Sequence, residues 1–280
     1  MSEAGAAPGS FVLSADGTPI AVFTSGGGPP LVLVHGTTAD HTTWRAAGPL
    51  LAATFSVQAI DRRGRGRSGD GPGPYAIERE YEDLAAVADA LAAETGGPVD
   101  VVGHSYGGRC ALGAGLLTAS IGRIVLYESA PSPAEAGGYR PTGVERRIRE
   151  LIDAGRRDAA LETFFREIVR MPEPDLAAYR ADPVWPVRVA AVHTSLRELE
   201  GEASPAASLE ALGGVRQPVL QLLGGDSAPV FRDATVALDA RLANGRVVVI
   251  DGARHAAHHT HVAAFVDSIR AFLANPHVAD

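Results

Sequence analysis

Ser105 stands at the centre of Gly103-His104-Ser105-Tyr106-Gly107. Glycines two before and two after a serine permit a crowded turn that pushes the hydroxyl out above a sheet. A hydroxyl is a weak nucleophile until a base takes its proton, and the base needs a carboxylate to fix its tautomer and stabilise the imidazolium. Of the nine histidines, His255 in Asp251-Gly252-Ala253-Arg254-His255 is placed best, on a loop beyond the last expected strand. His104 lies inside the motif and points away from the hydroxyl, and His35 ends a strand as a structural residue. Two carboxylates are open for the third role: Glu128, after Ile124-Val125-Leu126-Tyr127, and Asp226 in Gly224-Gly225-Asp226-Ser227.

Other patterns compete and are set aside. Gly64 to Gly69 fits the dinucleotide fingerprint G-x-G-x-x-G, but that fingerprint needs a helix to begin within the glycines. Asp70-Gly71-Pro72-Gly73-Pro74 forbids one. The arginines of the same loop, Arg62, Arg63, Arg65 and Arg67, read as residues of an ordinary solvated loop. His258, His259 and His261 with His255 mimic a metal cluster without a carboxylate or cysteine at helical spacing. Cys110, the one cysteine, reads as a small buried residue and excludes an intramolecular disulfide framework.

The elements that position these residues follow from periodicity. Val99 to Val102 reads as a short buried strand, and Ala111, Leu112, Leu116 and Leu117 recur at helical spacing. Ser105 therefore sits on a strand-to-helix bend. Phe11 to Ser14 and Ile20 to Thr24 predict an opening hairpin around Asp16-Gly17. Leu31 to Val34 is a continuous apolar run, as in a strand buried on both faces of a parallel sheet, and Phe55 to Ile60 is a second strand candidate. Glu78 to Glu94 predicts an amphipathic helix. Later, Pro218 to Leu223 and Val247 to Ile250 read as strands, with helices over Pro229 to Leu242 and His261 to Leu273. This alternation predicts an α/β fold with a mostly parallel central sheet and helices on both faces. Residues 131–214 break the rhythm with helical patterns, Val144 to Ala154 and Ala159 to Val169, interrupted at Met171-Pro172-Glu173-Pro174 and Asp182-Pro183-Val184-Trp185-Pro186. They read as a helical cap inserted into a core formed by 1–130 and 215–280.

A chain of 280 residues is long enough for one large domain with such an insertion. A net charge of -8 gives no electrostatic footprint for nucleic acid. The start MSEAGAAPGS lacks the basic and apolar regions of a secretory signal, and no apolar stretch reaches spanning length, so a cytoplasmic protein without a membrane partner is expected.

With these motifs in order along the chain, the sequence resembles an α/β-hydrolase. The resemblance rests on His35-Gly36 after the third strand, Asp61 to Gly69 as D-x-x-G-x-G-x-S after the fourth, Gly103 to Gly107 as nucleophile elbow, and Gly252 to His255 before the last helix. It implies Ser105 as nucleophile, His255 as base, and an oxyanion hole from the backbone N–H groups of Tyr106 and Thr37. It also implies a monomer or homodimer. Most members carry the acid as G-x-x-D after the strand corresponding to Pro218-Leu223. Here Gly224-Gly225-Asp226-Ser227 is one residue short and puts serine at that place. A minority, including some haloalkane dehalogenases and zearalenone-type lactonases, carry a glutamate after the preceding strand. Leu126-Tyr127-Glu128-Ser129-Ala130 matches that form, which favours Glu128, with Asp226 as the alternative.

The expected activity is hydrolysis of an ester, lactone or related acyl bond of a small to medium apolar substrate, through an acyl-enzyme on Ser105 and without cofactor or metal. A lyase or acyl transferase using the same triad, or a hydrolase-like binding protein, stays open. Serine at the elbow, in place of aspartate, argues against haloalkane dehalogenase and epoxide hydrolase chemistry. Trp44 and Trp185 are expected to bind substrate, with Tyr139, Phe164, Phe165, Met171 and Tyr179, as parts of an apolar pocket.

Overall fold

A computed structural model of the chain describes residues 9–131 and 141–274. The strands are β1 (Ser10–Leu13), β2 (Pro19–Ser25), β3 (Pro30–Val34), β4 (Ser56–Ile60), β5 (Val99–His104), β6 (Ile121–Tyr127), β7 (Val219–Gly224) and β8 (Gly245–Ile250). They form one sheet in the order β1-β2-β4-β3-β5-β6-β7-β8. The β1–β2 and β2–β4 pairs are antiparallel and the rest parallel. The sequence runs that lack alternation are explained by burial on both faces. Val32, Val34, Val101, Ile124 and Leu126 join one core cluster, while Leu31, Leu33, Val102, Val125 and Tyr127 join the other.

Helices close both faces. Helix α1 (Ala47–Ala52) lies in the second cluster, and α2 (Ile77–Thr95) and α3 (Tyr106–Leu117) lie in the first. Between β6 and β7 the chain is helical: α4 (Val144–Asp153), α5 (Arg157–Thr163) with a π turn at Phe164–Ile168, α6 (Glu173–Arg180), α7 (Trp185–Ala191), α8 (His193–Gly201) and α9 (Leu209–Leu212). Helices α4 to α8 have a core of their own, centred on Ile148, Leu161, Phe164 and Trp185. The proline clusters expected to interrupt this region start helices, since α6 and α7 each carry proline in the first turn, where the missing N–H costs nothing. After β7 come α10 (Pro229–Asp239), the short α11 (Ala257–Thr260) and α12 (Val262–Ala274), which packs beside α1.

The loop after β4 corrects the sequence reading. Arg62, Arg63 and Arg65 are buried rather than solvated. Arg62 forks onto Glu80 at 2.6 and 2.7 Å and reaches Glu198 of α8 at 2.9 Å. Arg65 meets Glu198 at close range, and Arg63 forks onto Asp83 at 2.7 and 2.6 Å. Although burial alone would raise it, the Glu80 carboxyl is held down at about 2 by Arg62 and Arg65. This buried network ties the loop to α2 and to α8. The motif around it is structural: Asp61 accepts from the backbone N–H groups of His41 and Arg67, both at 2.8 Å. A Cβ on Gly66, whose φ is +52°, would lie 2.0 Å from the Asp61 carboxylate.

Candidate active site

Ser105 occupies the single residue between β5 and α3, with φ at +52°. A side chain there pays backbone strain on the order of 1–3 kcal/mol, which surrounding structure must impose. Crowding imposes it. A Cβ on Gly103 would lie 2.3 Å from the Gly108 Cα, and one on Gly107 would lie 2.4 Å from the His35 carbonyl oxygen. The two glycines therefore let β5, α3 and the end of β3 meet at the serine. The Ser105 N–H donates to the Tyr127 carbonyl at 2.9 Å, and its hydroxyl has no hydrogen-bond partner among the described residues. A serine–histidine bond absent without substrate is common in such sites.

His255 and Glu128 are brought together. The imidazole Nδ1 lies 2.7 Å from Glu128 Oε2, with the carboxylate fully buried. Glu128 Oε1 accepts from the Gly224 N–H at 2.8 Å and, at close range, from the Ser227 hydroxyl. Glu128 also has a positive φ, +47°. Asp226 is exposed, and among the described residues only its backbone N–H is bonded, to the Ala253 carbonyl at 2.9 Å. Of the two open carboxylates, Glu128 is thus the one touching the imidazole.

The loop carrying His255 is held by residues that sequence reasoning did not assign. His104 Nε2 donates to the His255 carbonyl at 2.9 Å. The Tyr127 hydroxyl donates to the Arg254 carbonyl and accepts from the Ala257 N–H at 3.1 Å. Phe231 stacks on the His255 ring at 4.4 Å. Burial holds His104 well below the usual histidine range, with the neighbouring His255 and Arg188 acting the same way, so it is a neutral donor. The signal for Ser227 was present in the sequence, as the serine standing at the G-x-x-D place.

Two backbone donors lie beside the elbow without a partner of their own among the described residues. The Tyr106 N–H is the first of α3 and has no upstream helical carbonyl to meet. The Thr37 N–H has no acceptor among the described residues. Thr37 follows Gly36, where a Cβ would lie 3.1 Å from the Ser105 Cβ, so this loop runs directly against the elbow. The Thr37 carbonyl accepts from the Thr38 hydroxyl at 2.7 Å and from Arg188 Nη1 at 3.0 Å. Both bonds fix the peptide that follows the N–H.

Ser105 and His255 open onto a cavity of about 450 Å³, lined by the helical insertion on one side and the sheet's loops on the other. Phe164, Phe165, Val169, Met171, Tyr179 and Phe231 supply its apolar wall. A second lobe of about 50 Å³ also reaches Ser105 and His255, and Ser195 and Glu198 are among the residues that line it. Trp44 and Trp185 line neither lobe, which corrects the expectation for both. Trp44 is buried against Phe265 and His258, and Trp185 packs in the insertion's own core with its indole N–H on Asp158 at 2.7 Å. Their size and apolarity suit core packing as well as a pocket wall. Tyr139 lies outside the described residues.

Among the described residues the one group whose ligand atoms converge closely enough for a metal is Asp40, His41 and Asp61. Asp61 is already engaged there by the loop's own N–H groups and by His41 Nδ1 at 2.8 Å. No helix among the described residues is long and apolar enough to cross a membrane.

A model of the alpha/beta hydrolase family matches residues 31–268. A pimeloyl-[acyl-carrier protein] methyl ester esterase of Neisseria meningitidis serogroup B is 29% identical over 254 residues, 86% of this chain and 91% of that protein. The crystal structure of an alpha/beta hydrolase from Sphaerobacter thermophilus superposes with a TM-score of 0.80 at 33% identity, covering 94% of this chain and 100% of the other. An enol-lactonase from Burkholderia xenovorans shares the fold, with a TM-score of 0.72 at 23% identity over 95% of this chain and 100% of the other.

Proposed function

Because the chain belongs to the alpha/beta hydrolase family, we propose that it is a cofactor-independent serine hydrolase that cleaves an ester, lactone or related acyl bond. Residues 131–214 act as a cap over its substrate cavity. The observation that carries the reading is the buried Glu128 Oε2 at 2.7 Å from His255 Nδ1, on the wall of the cavity that also holds the strained Ser105.

In this reaction Ser105 Oγ attacks the acyl carbon while His255 Nε2 takes its proton. Glu128 holds the Nδ1–H tautomer and stabilises the imidazolium. The oxygen that becomes negative is received by the Thr37 and Tyr106 N–H groups. Losing one such donor typically costs about 2.7–4 kcal/mol. His255 returns the proton to the leaving alkoxide, and a water then repeats the sequence on the acyl-enzyme to release the acid.

Ester and lactone bonds are brought to this chain by the names of its relatives, an esterase and an enol-lactonase. The cavity volume and aromatic wall suit a small to medium apolar substrate. Labelling with a fluorophosphonate tests the reading: the wild type should be labelled on Ser105 and Ser105→Ala should not. A wild type that resists labelling while folded would remove the serine nucleophile.

A further inference from the structure

Arg188 differs from the other buried arginines near the site. It projects from α7 and is 6% exposed, yet no carboxylate lies within ion-pair distance of it among the described residues. Arg62, Arg63 and Arg65 are similarly buried and each faces two acids. Burying an uncompensated guanidinium is costly, and proteins normally supply a counter-charge. Two of its five N–H groups are used, Nη1 on the Thr37 carbonyl at 3.0 Å and Nη2 on the Thr43 hydroxyl at 3.1 Å. Its guanidinium lies 5.6 Å from the Tyr179 ring centroid.

Arg188 also lines the 450 Å³ cavity that contains Ser105. The acids that line the cavity are otherwise paired or exposed: Asp182 is paired with Arg45 at 2.5 Å, Asp175 with Arg254 at 3.2 Å, and Asp226 is exposed. The histidines beside it carry no competing charge. Burial first, and then neighbouring charges that include Arg188, hold His104 and His258 well below their usual range.

We propose that Arg188 is the anchor for a free carboxylate of the substrate, which makes the preferred substrates short esters or lactones of acids bearing a second, ionised carboxyl group. This rests on the serine-hydrolase reading above. The position sets the spacing. Arg188 bonds the carbonyl of Thr37, and both residues line one cavity with Ser105, so the anchored carboxylate lies only a few bonds from the scissile carbonyl. The aromatic wall then covers the chain between them. A planar fork of N–H donors suits a carboxylate better than a point charge does.

The test compares monomethyl succinate, glutarate and adipate with the corresponding dimethyl esters, correcting the diesters for their two equivalent ester groups. The wild type should prefer a monoester by roughly ten- to a hundredfold in kcat/KM. In Arg188→Met that ratio should fall to about one, whatever happens to the absolute rates, and Arg188→Lys should retain part of it, with the loss appearing in KM. Ser105-dependent hydrolysis with no preference for any monoester, or a preference that survives Arg188→Met, would overturn the anchor and leave the serine hydrolase standing. If neither class is hydrolysed, fluorophosphonate labelling of Ser105 decides the serine-hydrolase reading separately. Calorimetric titration of monomethyl glutarate into Ser105→Ala still decides the anchor: binding that disappears in Ser105→Ala/Arg188→Met supports it, and binding that is absent or unchanged by Arg188→Met overturns it.

Discussion

Glu128 spends both carboxylate oxygens on the site, one on His255 and the other on the Gly224 N–H and the Ser227 hydroxyl. Glu128→Gln keeps the shape but cannot hold the same imidazole tautomer, and the comparable change in a serine protease lowers kcat by about 10⁴-fold. A loss of that order is expected here, while Asp226→Asn should leave kcat nearly unchanged. Ser227→Ala removes one of two hydrogen bonds to Oε1 and should cost roughly tenfold. Steady-state kinetics of the three variants on one ester settle the assignment, and a larger loss from Asp226→Asn would reverse it. The serine and histidine are legible because each sits in a local pattern that fixes its place at the end of a strand. The acid is less so, since β6 and β7 both end near a carboxylate and the partner lies 127 residues away. Choosing needs the direction in which each side chain leaves its strand. A positive φ at Glu128 decides that direction, and no neighbouring residue type announces it.

At the level of elements, strands and helices follow from apolar runs and periodicity, but the attachment of the helical insertion to the sheet does not. It includes Arg62 and Arg65 meeting Glu198 across 136 and 133 residues. The arginine loop looks solvated in sequence because its partners are out of view. Helix α8 supplies an internal control for what that burial means. Glu198 is buried against two guanidinium groups, whereas Glu200, two residues on, pairs with Arg149 at 2.6 Å on the exposed surface. Removing one partner of a buried network strands a charge and costs about 3–5 kcal/mol. An exposed pair is worth about 0–1 kcal/mol. Urea unfolding should therefore show Glu198→Ala destabilised by several kcal/mol and Glu200→Ala almost untouched. Equal effects would mean that the network does not hold the insertion in place. The substrate cavity is walled by both the insertion and the sheet's loops, so Glu198→Ala should also raise KM.

For the whole molecule, the buried histidines set the acid limit of stability. His35, His104 and His258 are buried, and burial, as the first cause in each, holds all three well below the ordinary value of 6.5. His35 is fixed as a neutral ring by accepting the Arg62 N–H at 3.0 Å on Nε2, with Nδ1 2.8 Å from the Gly36 carbonyl. The unfolded chain takes up protons near pH 6.5 that the folded chain refuses. Stability is therefore complete above that pH and falls as the pH drops toward the lower folded values. The slope is about 1.4 kcal/mol per pH unit for each histidine, on the order of 4 for three. A typical domain has roughly 5–15 kcal/mol to lose. Glu80 acts later: with its pKa lowered from 4.5 to about 2, its contribution is present above pH 4.5 and is lost only as the pH falls toward 2. Urea unfolding followed from neutrality down to pH 4.5 should show stability declining from about pH 6.5, and His258→Gln should flatten the slope by about one histidine's share. A decline that begins only below pH 4.5 would assign the acid limit to carboxylates instead. Since His104 donates to the carbonyl of His255, protonating it in place would strand its charge against the loop that carries the base. The pH that exhausts the fold is thus also the pH at which the His255 loop loses its support.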